Sequence, residues 1–334
     1  MSGIVITENS GVNDSFFGKC QGPVRMLIEK RGKAYEQKSA IKNLFFMTKS
    51  KGALDRYTSV TGTKGFEATG ENGAYPVDSM REGYPRIIEN ITWKNSLTIS
   101  REMADDSEAM DFQKKPEEFI SGYYATREKF GAALFGAAIS GKHSATYAKA
   151  TVSALAADGK TLFHQKHKPL VSGDEQSNIF TDAFSVDALG ALECEMQNFR
   201  GDNNDILDVA PDTILIPNIY SLKREVFAAV GADKDPTTAN NGFNYQFGRW
   251  NIIVWNYLNQ FITAGTRPWI LLDSNYNNLY GGAVWQDRTE LEVKSTIDDN
   301  TDANVWRGYA RFNAGFVDWR FAALGGAAAG STLL

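Results

Sequence analysis

The sequence predicts an α+β protein: an extended N-terminal arm, a long two-stranded ribbon, one long helix and a compact mixed region. Three observations carry this reading. From Pro116 to Gly141 the chain spaces Phe119, Tyr123, Phe130, Leu134 and Ala137 at three, four and seven residues, the period of a helix with one apolar face. YPRIIENITWKNSLTIS alternates instead. Ile87, Ile91, Trp93, Leu97 and Ile99 fall on one side, as in a strand exposed on the other. Beyond residue 150, short apolar runs (TILIP, NIIVW, PWILLD, LEVK) are interleaved with amphipathic helical segments.

Taken in order, residues 1–34 hold Gly3, Gly11, Gly18, Gly22, Pro23 and Gly32 with little periodicity, which reads as an arm needing another surface to lie on. Tyr35 to Lys49 reads as a short helix with Ile41, Leu44, Phe45 and Thr48 on one side. From Asp55 to Arg101 a Thr/Ser/Gly-rich stretch, a Gly/Pro/Asn-rich stretch and the alternating segment together predict a ribbon with a loose tip. A lone ribbon is marginal in water, so a second copy of the chain is its expected support.

In the long helix, Pro116 suits the first helical position, and Glu117 and Glu118 then meet the positive end of the dipole. Arg127 interrupts the apolar stripe with a stem able to lie along it, and Gly141 is the stop. Such a helix is roughly 38 Å long. Further on, Ser185 caps a helix to Phe199, burying Leu189, Leu192, Met196 and Phe199. A helix over 221–230 buries Leu222, Val226 and Val230, and Gly231 to Gly242 reads as a mobile loop. The close sets Trp306, Ala310 and Phe312 against Arg307, Tyr309 and Arg311, and the tail GGAAAGSTLL frays.

The net charge of −5 is unevenly spread. The first 56 residues hold ten Lys/Arg against five Asp/Glu, and Lys30, Arg31, Lys33, Lys38 and Lys42 form a basic arm suited to a polyanion or an acidic partner surface. No apolar run approaches the ~20 residues of a membrane span, and no secretory signal is evident. Cys20 and Cys194 make no disulfide framework, so the sequons at Asn13 and Asn90 read as chance matches and a reducing cytoplasm as the site of synthesis. Catalytic motifs are thin: there is no G-x-S-x-G elbow, no phosphate-cradling Gly-rich loop and no dinucleotide fingerprint. The carboxylate pairs Glu117–Glu118 and Asp298–Asp299 have helix-start or turn explanations. His164 and His167, with Asp174 nearby, are the one drawable metal set, without the helical i, i+4 spacing of a zinc protease. No cofactor, metal or catalytic residue is expected.

The succession of arm, ribbon, long helix, mixed region and returning strands resembles the Hong Kong 97-type shell fold of tailed-bacteriophage major capsid proteins. DGKTLFHQKHKPLVSG (158–173), FSVDALGALECEMQNF, DTILIPNIYSLKREVFAAV, PWILLD and FNAGFVDWRF are similar to the corresponding stretches of Mu-like major head subunits, over about two thirds of the chain. The resemblance implies an N-terminal arm (1–54), an E-loop ribbon (55–101), a peripheral domain with a spine helix (102–149), an axial domain (150–284) and a return to the periphery (285–334). It implies hexamers and pentamers in an icosahedral shell around double-stranded DNA, assembled in the host cytoplasm with separate scaffold, portal and decoration proteins. Under it, Ile87, Ile91, Trp93, Leu97 and Ile99 are the inter-subunit ribbon face, and Phe119, Tyr123, Phe130 and Leu134 the spine. The alternatives are an encapsulin-like nanocompartment shell and a metal-dependent hydrolase using His164 and His167.

Overall fold

The longest alternating segments pair with each other. In the computed structural model, β11 (Ala283–Asp298) and β12 (Ala303–Phe316) form an antiparallel hairpin. The structure describes residues 5–7, 32, 34, 35, 37–60, 66–75, 77, 82–100, 109–171, 173–231, 233, 243–298, 300, 301 and 303–327. Two short strands lie parallel to β11 along its other edge: β2 (Phe46–Lys49) beside Val284–Asp287, and β1 (Val5–Thr7) beside Glu292–Lys294. Register shifts between Asp287 and Glu292 separate the two attachment points; such bulges bend a strand and sharpen its twist. β5 (Ile91–Ile99) completes the five-stranded sheet on the edge of β12.

Across this sheet lies α2 (Ala109–Ile139), 31 residues long. Phe130, Leu134 and Phe135 are buried, and Phe130 sets its ring edge-on to Trp93, Trp285 and Phe312. The helix begins earlier than the sequence suggested, so Pro116 stands inside it rather than at its first position. Its end follows the expectation. Gly141 adopts φ 66°, and the N–H groups of Gly141 and Lys142 donate back to Ala138 and Ala137. That closes the last orphan carbonyls with a left-handed residue suited to glycine.

The segment before the ribbon is more structured than an arm. Ile41–Leu44 is a single helical turn, α1. Ile41, Leu44 and Phe45 are buried in the main core, and Thr48 belongs to strand β2 rather than to a helix. The chain's own core thus holds residues 41–45, while residues 8–31 of the expected arm lie outside the described residues.

The second sheet has the order β13 (Ala322–Gly325), β10 (Trp269–Leu272), β8 (Thr213–Pro217), β9 (Asn251–Trp255). β8 and β9 run parallel, and α4 (Tyr220–Gly231) lies on the connection between them, since parallel neighbours need a crossover. Every residue of β8, β10 and β13 is buried, as continuous apolar strands covered on both faces should be. α3 (Val186–Gln197) starts where Ser185 Oγ accepts from the Ala188 N–H at 3.0 Å, and it buries Leu189, Leu192 and Met196. Residues of both sheets, including Trp285, Phe312, Leu215, Trp269 and Leu324, form one contiguous core.

β3 (Leu54–Val60) and β4 (Glu82–Glu89) make the ribbon, paired from Leu54↔Glu89 at the root to Val60↔Glu82. β5 is not part of it, and a separate short hairpin, β6 (Ser144–Tyr147) with β7 (Ala150–Ser153), follows α2. At Asn90 the chain turns a corner: the Asn90 side chain donates to Ser50 Oγ and to the Gly52 carbonyl, and accepts from Gln286 Nε2. The strand beyond joins the large sheet. Most of the expected loop over residues 231–242, and the tail after 327, lie outside the described residues.

Candidate functional site

Directly opposed residues of an antiparallel pair share a face, and the ribbon's two faces differ sharply. Tyr57, Arg86 and Ile88 turn toward the body. Ile88 is 3% exposed and packs with Val284 and Val317. The Tyr57 hydroxyl donates to Gln286 Oε1 at 3.1 Å, and Arg86 Nη2 donates to the Ser153 carbonyl at 3.1 Å. Burial and the nearby Asp55 charge push the Tyr57 hydroxyl up to about 12, so it stays protonated as a donor. Leu54, Arg56, Thr58, Pro85, Ile87 and Glu89 form the other face and are all exposed. Beyond the root, Phe66, Tyr75 and Val77 at the tip are exposed almost completely.

This divides the apolar face expected from the sequence. Ile87 is 54% exposed on the outer face of the ribbon. Ile91 and Trp93 instead pack on the chain's own main core; the Trp93 ring stacks on Phe312 at 5.0 Å, and its Nε1–H donates to the Phe312 carbonyl. Leu97 is half-buried in β5, paired opposite Trp306, and Ile99 ends that strand. Ile91, Trp93 and Leu97 are therefore sheet residues of this subunit, because the strand they occupy is hydrogen-bonded to β12. Ile88, Tyr57 and Gln286, which fasten the ribbon, were not foreseen: of the two adjacent isoleucines the alternation assigned Ile87 to the apolar face, whereas Ile88 is the buried one.

Along α2, Phe130 and Leu134 are fully buried, whereas Phe119 and Tyr123 are half-buried. Arg127 does more than lie along the stripe. Its guanidinium makes two hydrogen bonds to Asp287, at 2.7 and 3.0 Å, another to the Tyr123 hydroxyl, and sits 4.9 Å from the Trp285 ring centroid. Burial alone would lower its pKa, but Tyr123 and Asp287 outweigh burial and raise it. The cation thus ties the helix to β11 at its register shift.

Of the basic arm, Lys30, Arg31 and Lys33 lie outside the described residues, while Lys38 and Lys42 are exposed. They stand at a cleft of ≈ 380 Å³ between this segment, α2 and the end of β9, with Tyr35, Met47 and Tyr124 in its wall. The cleft's acidic groups are engaged: Glu128 accepts from Ser39 Oγ and Trp255 Nε1, and Asp287 from Arg127.

The sequence profile of phage capsid proteins matches residues 85–324. The chain belongs to the phage capsid protein family. Solved structures with the same fold include the capsid of Ralstonia phage GP4, at TM-score 0.54 and 10% identity over 86% of this chain and 90% of that one. The capsid of a native GTA particle gives 0.52 and 11% over 86% and 89%, and a structure from Microbacterium phage Oxtober96 gives 0.50 and 10% over 86% and 90%. No curated protein sequence matches the chain.

The architecture of this capsid protein is the Hong Kong 97-type fold, with α2 as the spine helix and the β3–β4 ribbon as the E-loop. As a major capsid protein it is a structural shell subunit of the virion and works as a homo-oligomer. No helix among the described residues is long and apolar enough to cross a membrane. Each histidine drawn as a metal ligand engages its Nδ1 within the fold. His167 is buried, with Nδ1 2.6 Å from Asp158 Oδ2 and its ring stacked on Trp319 at 4.2 Å. His164 Nδ1 accepts from the Lys166 N–H. Asp174 is exposed on a loop, and no group of three or more His, Cys, Asp or Glu suited to a metal occurs among the described residues.

Proposed function

We propose that copies of this capsid protein close into an icosahedral shell of hexamers and pentamers around packaged double-stranded DNA. One observation supports this reading above the others: the ribbon is rooted in its own subunit by one face, while the described residues of its other face and of its tip are exposed. A protein gains little from holding such a lever out in water unless a neighbour covers it. Residues 55–89 are then the inter-subunit clamp, with Ile87 on its docking face. Residues 1–54 form the arm, 102–149 and 285–334 the peripheral domain, and 150–284 the axial domain, whose loop over 231–242 meets its counterparts at the capsomer centre. The basic arm (Lys30, Arg31, Lys33, Lys38, Lys42) contributes contact with an acidic scaffold or with DNA, which is salt-dependent and blind to sequence. Assembly takes place in the host cytoplasm, with separate scaffold and portal proteins and decoration of the finished shell.

Negative-stain microscopy and velocity sedimentation of the purified protein, with chelator present, test the proposal. Closed megadalton particles are expected, containing DNA when isolated from productive assembly. Shells filled with enzyme cargo would instead favour a nanocompartment. A protein that remains monomeric, or particles that fall apart in chelator while releasing stoichiometric zinc, would overturn the reading.

A further inference from the structure

The tip of the ribbon and the cleft beside α1 complement each other. Residues 66–77 carry Glu67 and Glu71 and no Lys or Arg, together with the exposed Phe66, Tyr75 and Val77. The cleft offers the reverse charge and a matching surface. Lys38 and Lys42 are exposed beside it, Tyr35 and Tyr124 stack at 5.5 Å in its wall, and Met47 is part of its lining. Of its acids, Asp287 is paired with Arg127 and Glu128 accepts from the neutral Ser39 and Trp255, so Lys38 and Lys42 leave the lining net positive. A subunit's own tip is badly placed to fill it. Pairing from Leu54 to Val60 carries the tip about 20 Å from a root that lies close to β2, and β2 holds Met47 of the same cleft.

We propose that the ribbon tip of one copy seats in this cleft of a second copy, with Glu67 and Glu71 meeting Lys38 and Lys42 and an aromatic side chain of the tip lying against Tyr35 and Met47. The assignment rests on the shell-subunit reading above and names the surface that receives the clamp. Opposed charges steer the encounter and fix its register, while the apolar area holds it. A second groove, of ≈ 660 Å³, lies between β5, β12 and the start of the described side chains of α2. It fits less well, since its lining carries one lysine, Lys94, against the two of the first cleft.

The test uses two tagged copies co-expressed in a Cys20→Ser, Cys194→Ser background, one carrying Glu71→Cys and the other Lys38→Cys. Oxidised particles are expected to yield covalent dimers containing both tags. Substituting Asn95→Cys, in the second groove, for Lys38→Cys should abolish them. Independently, Glu67→Lys/Glu71→Lys and Lys38→Glu/Lys42→Glu should each lower particle yield by at least about tenfold, and combining them in one chain should restore it. Normal wild-type particles with linkage to Asn95→Cys instead, or no recovery in the combined variant, would overturn this pairing alone. A wild type that never assembles would overturn both this pairing and the shell reading.

Discussion

Ile87 and Ile88 are chemically the same and structurally opposite. Truncating Ile88 to Ala empties a site against Val284 and Val317, and is expected to destabilise the dissociated subunit by about 2–5 kcal/mol. Ile87→Ala should stay within about 0.5 kcal/mol while reducing assembly. Urea denaturation of dissociated subunits, beside particle yield, checks both, and equal folding costs would refute the two-faced ribbon. A second residue-scale expectation concerns acid. Burial pushes the Asp158 carboxyl up, but its hydrogen bond and charge interaction with His167 outweigh this and hold it below the ordinary 3.8. Burial, then the His167 and Lys160 charges, hold His164 below 6.5. Both groups bind protons more readily in the unfolded chain, so their contributions are complete above those ordinary values and are lost as pH falls through the folded ones. The urea midpoint should drop as pH goes from about 7 to about 5, and drop again below about 4, with His164→Gln removing the first step. A midpoint that rises on acidification would contradict this.

Among the elements, the ribbon separates into a root that belongs to the fold and a tip that does not. Replacing residues 61–81 by a short turn keeps the Tyr57, Arg86 and Ile88 contacts. Near-wild-type helix content and melting temperature are expected, together with the loss of closed particles; normal shells from the shortened chain would remove the clamp. This boundary shows what the sequence could convey. The spine stripe, the Ser185 cap, TILIP and the Gly141 stop were legible because each depends on local periodicity or a single backbone conformation. Glu89–Asn90–Ile91 was not. β4 turns Tyr84, Arg86 and Ile88 inward and β5 turns Ile91, Trp93 and Leu97 inward, and the one-residue change of phase at Asn90 is stabilised by Ser50, Gly52 and Gln286, partners remote in sequence. The Arg127–Asp287 pair was hidden for the same reason: an arginine in an apolar stripe announces a buried partner only once the opposing strand is known. The start of α2 was misread because a proline that favours a first turn does not forbid a helix already begun.

For the whole molecule, the five-stranded and four-stranded sheets share a single core, with Trp285 and Phe312 of one continuous with Leu215 and Trp269 of the other. Dissociated subunits should therefore melt in one calorimetric transition rather than two; two resolved transitions would mean that the lobes fold independently. The same long-range construction governs the order of events during synthesis. β1 can pair only after Glu292 to Lys294 exist, and β2 only after Val284 to Asp287. At ~5–20 residues per second, Val5 emerges about 15–60 s before its partner strand is made. During that interval the front of the chain is a strand without a sheet, and on a crowded polysome the hairpin of a chain further along offers the same edge. Exchange of β1 between nascent neighbours is thus the characteristic misassembly of this topology, and it favours any arrangement that keeps the first residues occupied until the last strands arrive.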